Sequence, residues 1–189
     1  ARIANRMAKH KAVVIYGRYD ALTIFERLIA ALPGSERRGW EQAWQAQIGN
    51  APKTLGNALE EMLNGPFDKS PILLIIDDLE QILETPQPGQ DATPIKDAAG
   101  TPEAWRASLA AILRAFKAAN TESRLLLTSR FNFTLPDGRG GDLANALERV
   151  QLPPMKERER AKQWQTAERL AGKAETDPGD LKNRLAGHA

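Results

Sequence analysis

Asp77 and Asp78 stand side by side directly after Ile72-Leu73-Leu74-Ile75-Ile76, and Thr128, Ser129 and Arg130 directly after Arg124-Leu125-Leu126-Leu127. A continuous aliphatic run of this kind reads as a strand buried on both faces. Two acids where such a strand ends carry a desolvation penalty unless something cationic meets them. A hydrated Mg²⁺ suits them, since it is hard, keeps waters and takes one or two carboxylates. The second acid can orient or polarise a water, and Arg130 can meet charge that develops on a phosphate. The plainer reading of Asp77-Asp78 is a cap, an acid accepting backbone N–H bonds from the next turn. One acid suffices for that; two favour the metal. Arg130 taken alone reads equally well as a surface residue, and Thr128 and Ser129 as local hydrogen bonders.

For these groups to meet, the elements that carry them must lie side by side. Strands are expected near 12–16 ("AVVIY"), 71–76, 124–128 and 148–152, with the third as buried as the second. Asp20 is placed to cap a helix whose Leu22, Phe25, Leu28, Ile29 and Leu32 share a face before Pro33-Gly34. Trp40, Trp44 and Ile48 mark a helix over 37–48. Leu55, Leu59, Met62 and Leu63 mark another, closed by Asn64-Gly65-Pro66. Thr101-Pro102-Glu103 starts a helix with the core stripe Trp105, Leu109, Ile112 and Phe116. Residues 1–10 read as the end of a helix, and 155–171 and 178–187 as two more. The Pro-, Gly- and Asp-rich stretch 85–102 reads as a long loop without period, a mobile insertion before a partner-binding one. Strands alternating with helices imply a parallel α/β sheet, where ligands gather beyond the carboxyl ends of the strands.

The remaining residues point to simpler roles. Trp40, Trp44, Trp105 and Trp164 sit at helical spacing with apolar partners and read as core. His10 and His188 have no metal-ligand spacing and read as solvent-exposed, and Arg18, after Gly17, as a surface residue. The net charge of +2 comes from 26 basic and 24 acidic residues, without the basic stripe that nucleic acid requires. There is no cysteine, hence no disulfide framework and no thiolate chemistry. No apolar run reaches membrane-span length and no signal-peptide pattern opens the chain, so a cytoplasmic protein without a membrane partner is expected. The opening "ARIANRMAKHK" and the closing "LKNRLAGHA" read as cuts within a longer polypeptide.

"ILLIIDDLEQIL" resembles the Walker B strand of P-loop NTPases, and more closely that of the STAND signal-transduction ATPases, which include NB-ARC and related AAA-like nucleotide-binding domains. "RLLLTSR" resembles the sensor strand of the same family, "RVQLPPMKERERAKQW" its link into the helical lid, and "ARIANRM" the tail of the helix after the phosphate loop. The resemblance implies a three-layer parallel sheet of P-loop NTPase type lacking the Walker A strand (residues 1–153), followed by the start of a helical lid (154–189). It implies ATP/ADP as ligand and ATP with Mg²⁺ as cofactors. Asp77 would hold the metal through a water, Asp78 would share the metal site and activate the attacking water, and Arg130 would bind the terminal phosphate. Slow hydrolysis would then serve as a regulatory switch, with protein partners engaged through adjacent domains. No Gly-rich loop ending Lys-Ser/Thr occurs in these residues, so this chain alone is expected to bind ATP weakly or not at all. The implied strand order puts 124–128, 71–76 and 12–16 side by side, with 148–152 across a gap. Two other readings stand beside it: a degenerate NTPase-fold scaffold for protein assembly, and a phosphoacceptor receiver domain. The receiver would need a further Asp after its third strand.

Overall fold

The computed structural model describes residues 9–96, 102–153, 156–157 and 160–166. The helix expected at 1–10 is outside these residues except for its last two positions; the Thr101 cap, the helix at 178–187 and His188 fall outside them entirely. The chain divides into two units, Ala1–Leu147 and Glu148–Ala189.

The first unit is built on a parallel sheet of three strands, β1 (Lys11–Ile15), β2 (Ile72–Ile76) and β4 (Arg124–Leu127), in the order β1-β2-β4. This is the adjacency expected from the sequence. Each connection is a crossover filled by helices. Between β1 and β2 run α1 (Ala21–Ile29), α2 (Gly34–Asn50), α3 (Leu55–Asn64) and the single turn α4 (Pro66–Lys69); between β2 and β4 runs α5 (Pro102–Ala118). A second, two-stranded pairing joins β3 (Thr93–Pro94) to β5 (Phe133–Thr134) in parallel.

Local signals set these boundaries. Asp20 caps α1, its Oδ1 accepting from the Thr23 amide at 2.9 Å and its Oδ2 from the Thr23 hydroxyl at 2.8 Å. Carbonyls stranded at the other end of α1 are met by Arg37, whose guanidinium donates to Ile29 O and Ala30 O, and by Lys11 Nζ on Ala31 O. Pro33 does not simply stop α1; it sits at the N-terminal boundary of α2. At Gly65, which ends α3, an added Cβ would lie 2.9 Å from Glu61 O, so no larger residue fits without a backbone shift.

One hydrophobic core joins the helices to alternate strand residues. Val13, Ile15, Ile72, Leu74 and Ile76 pack with Phe25, Leu28, Leu59, Met62 and Ile112, and Leu125 and Leu127 lean on the same cluster. Side chains alternate between faces along a strand, so every described helix of this unit covers a single face of the sheet. The opposite face carries Val14, Leu73, Ile75 and Leu126, none of them part of that cluster. Val14 is 48% exposed, while Leu126 is half-buried. Among the described residues the architecture is α/β in two layers, one of strands and one of helices. β4 is accordingly not the fully buried strand expected: Arg124 is exposed and Leu125–Leu127 are half-buried, on a strand that forms an edge of the sheet among the described residues.

Trp40, Trp44 and Trp105 pack half-buried against the core, and Trp164, in the second unit, is half-buried. His10 is half-buried rather than free, its Nε2–H donating to Glu122 O at 3.0 Å. In the second unit, residues 148–152 form no strand. Only Val150 and Leu152 are large and apolar there, at 76% and 84% exposure. Pro153-Pro154 removes the next two amide donors. Residues 157 and 160–166 are helical, within the expected 155–171.

Candidate functional site

The register pairs Ile15 with Ile76 and Ile76 with Leu127, so the three strands end level. Tyr16-Gly17, Asp77-Asp78 and Thr128-Ser129-Arg130 therefore leave from one rim of the sheet. The ladder continues one residue past the strand ends, with Asp77 N–H on Ile15 O and Thr128 N–H on Ile76 O, both at 2.9 Å.

The twin acids then turn sharply. Asp78 is left-handed, at φ 60° and ψ 46°, and is the single non-glycine residue with positive φ among those described. Aspartate tolerates this region better than most side chains, and neighbouring bonds hold it there. Its N–H donates to Thr128 Oγ1 at 3.0 Å, and its carbonyl accepts from the Tyr19 hydroxyl at 3.0 Å and from Gln81 N–H at 3.2 Å. The Thr128 hydroxyl in turn donates to Asp77 Oδ1 at 2.5 Å, and Gln81 Nε2 donates to Asp78 Oδ2. Leu79 N–H, opening the 3₁₀ turn Leu79–Ile82, donates to Thr128 O at 3.0 Å. Thr128 is thus the local bonder expected of it, clasping both acids from the adjacent strand. Ser129 accepts from Phe131 N–H.

Tyr19 is the residue that sequence reasoning missed. Gly17, at φ +73°, turns the chain after β1 so that Arg18 points outward, 76% exposed beside Asp20, while Tyr19 goes in. Tyr19 is 1% exposed, and its hydroxyl is shared between Asp77 O at 2.8 Å and Asp78 O at 3.0 Å. Burial raises its pKa above the ordinary phenol value, and the Asp78 and Asp77 charges nearby act the same way. The hydroxyl therefore stays a donor.

Arg130 reaches the rim but pairs with neither twin acid. Its Nε contacts Glu80 Oε1 at 2.7 Å, Glu80 lying two residues beyond Asp78 on the same turn. Its guanidinium carbon lies 5.8 Å from the centre of the Phe131 ring. Among the described residues, Asp77 and Asp78 form no ion pair. Within those residues the chain supplies one hydroxyl, from Thr128, and one side-chain amide, from Gln81, to its two adjacent carboxylates, and no cation.

The stretch 85–102 is fastened to both halves of this rim over its described part, contrary to the expectation of a mobile insertion. Leu83 and Ile95 form an antiparallel bridge, Glu84 N–H donates to Pro94 O, and Lys96 Nζ donates to Gln81 O at 3.2 Å. On the other side Thr93 N–H donates to Asn132 O at 3.0 Å, and Asn132 Nδ2 to Asp91 O at 3.2 Å. Thr93 and Ile95 are each 1% exposed. Where the insert meets the residues after β4, a depression of about 190 Å³ is lined by Arg130, Phe131, Asn132, Gln90, Asp91 and Thr93, among others.

No protein-family description, curated protein or solved structure matches this chain. Among the described residues no group of three or more His, Cys, Asp or Glu side chains is arranged to hold a metal, and no helix is long and apolar enough to cross a membrane. A pair of adjacent carboxylates with open coordination is too few for Ca²⁺ or Zn²⁺ cages. Mg²⁺, which keeps several waters, asks for only one or two carboxylates.

Proposed function

We propose that this rim is the metal and sensor edge of an ATP site in a STAND-type nucleotide switch, a P-loop NTPase domain of three layers followed by a helical lid. The observation that carries the reading is the pair Asp77-Asp78, held at the end of the middle strand by neutral donors and without a cationic partner among the described residues. On this reading Mg²⁺ supplies charge neutralisation at the phosphates, and the chain's own residues position what reacts. Asp77 would hold the metal, and one of its carboxylate oxygens is steadied by Thr128. Asp78 shares that site and orients the attacking water. Arg130 meets the charge that accumulates on the terminal phosphate in the transition state. The outer edge of β4 is unpaired among the described residues; on this reading a strand carrying the phosphate loop, from sequence upstream of Ala1, pairs there.

One observation favours the scaffold alternative. Asp78 and Arg130 are both engaged within the chain, by Gln81 and Glu80, as expected of groups kept for structure alone. Nucleotide binding separates the two. Expressed with about fifty upstream residues, where a phosphate loop would belong, the polypeptide is expected to bind Mg-ATP and release phosphate slowly. The 189-residue chain should bind it far more weakly, short of the micromolar range, and release no phosphate. Micromolar ATP binding by the 189-residue chain, or none by the extended one, would count against the reading.

A further inference from the structure

Arg130 is 60% exposed, yet its Nε–H is fixed on a carboxylate that is itself only 13% exposed. Long exposed arginines are ordinarily free to sample rotamers, so this one is held for a physical reason. Glu80 is the second residue of the 3₁₀ turn Leu79–Ile82, and Leu79 N–H is bonded to Thr128 O, two residues before Arg130. The backbone bond and the ion pair therefore close a small ring joining the acid turn to the segment after β4. The insert ties the same two segments together, through Lys96 on Gln81 and Thr93 on Asn132. Glu80 is engaged through Nε alone, and among the described residues the two terminal amino groups of Arg130 make no hydrogen bond.

We propose that Glu80 is a positioning residue for Arg130, holding it by Nε so that both terminal amino groups are pre-set for the oxygens of a polyphosphate. This rests on the ATP-edge reading and names the residue that orders its arginine. A guanidinium ordered in advance forgoes the cost of immobilising a rotamer-rich side chain on binding, which is about two- to ten-fold in affinity. Against this, the Glu80 charge repels an incoming anion. The two effects separate in Glu80→Gln, which keeps an acceptor for Nε–H and removes the charge.

The test uses the 189-residue chain, with the ¹H–¹⁵N signal of the Arg130 Nε–H followed by NMR while inorganic tripolyphosphate is added. In the wild type this signal should be displaced from that of free arginine and slow to exchange with water, and it should respond to tripolyphosphate. E80A should return it to the free position and weaken tripolyphosphate roughly two- to ten-fold. E80Q should hold the displaced position and bind at least as tightly as wild type. An Arg130 signal unmoved by E80A overturns the proposal, as does the absence of any tripolyphosphate response in the wild type. Tighter binding in both variants also overturns it, because Glu80 would then be a competitor. Failure of the ATP reading has its own signature: tripolyphosphate affinity that follows the Glu80 series while the upstream-extended polypeptide binds no Mg-ATP.

Discussion

Replacing Tyr19 by Phe removes one oxygen from the interior and leaves the ring, so no cavity confuses the result. The lost hydroxyl served two carbonyls, Asp77 O at 2.8 Å and Asp78 O at 3.0 Å. Asp78 O keeps the Gln81 amide, while Asp77 O has no other donor among the described residues. A net hydrogen bond is worth about 1 kcal/mol, and a buried acceptor left unpaired costs a further 1–3 kcal/mol or so. Because the site is only partly buried, the lower end applies, and Y19F should destabilise the fold by about 2 kcal/mol. With a urea slope near 2 kcal/mol per molar, the unfolding midpoint should fall by about 1 M at constant slope. The pH dependence carries a second signature. Burial raises the Tyr19 pKa from 10.0, so the unfolded chain loses this proton first. The stabilisation is whole below about pH 10 and drains away as pH climbs through the folded-state value. Wild type should lose stability over that alkaline range, and Y19F should lack the Tyr19 share of the loss. A midpoint unchanged within about 0.2 M, or the same alkaline decline in both proteins, would refute the claim that Tyr19 clamps the twin-acid turn.

Three further substitutions probe the two ends of β2. Asp78→Asn suits a left-handed backbone and should leave urea stability within about 0.5 kcal/mol, whereas Asp78→Ala should cost about 1–2 kcal/mol; in the upstream-extended polypeptide, D78N should slow phosphate release while sparing ATP binding, and unchanged turnover would remove Asp78 from the mechanism. Ser123→Ala strips Oγ from the Ile72 amide, which it meets at 3.1 Å in a site where Ser123 is 3% exposed; thermal unfolding should reveal a loss of about 1–3 kcal/mol, and hydrogen exchange at Ile72 should rise with it.

Much of the sheet was legible because its signals are local. The aliphatic run before Asp77 announced a central strand, and the Asp20 cap and the stripe through Leu55, Leu59 and Met62 marked helices. What escaped depends on pairing across the chain. Glu80 meets Arg130 from fifty residues away, and nothing in "DDLEQ" distinguishes that acid from a solvated one. Tyr19 carried no signal in the sequence, since its hydroxyl acts on carbonyls that carry no sequence identity. Val150 and Leu152 alternate as strand residues do, but a strand exists only with a partner, and here both are exposed. The insert's composition argued for a free loop. Its one large aliphatic, Ile95, was the overlooked sign that this segment is anchored to a core.

The central claim is that Asp77 and Asp78 await a cation that arrives with a polyphosphate. Calorimetric titration of Mg-ATP into the upstream-extended polypeptide, beside its Asp77→Ala variant, tests it most directly. Wild type should bind, with affinity falling at least ten-fold when Mg²⁺ is chelated or Asp77 is removed, the equivalent of about 1.4 kcal/mol. Binding indifferent to both Mg²⁺ and Asp77 would contradict the account.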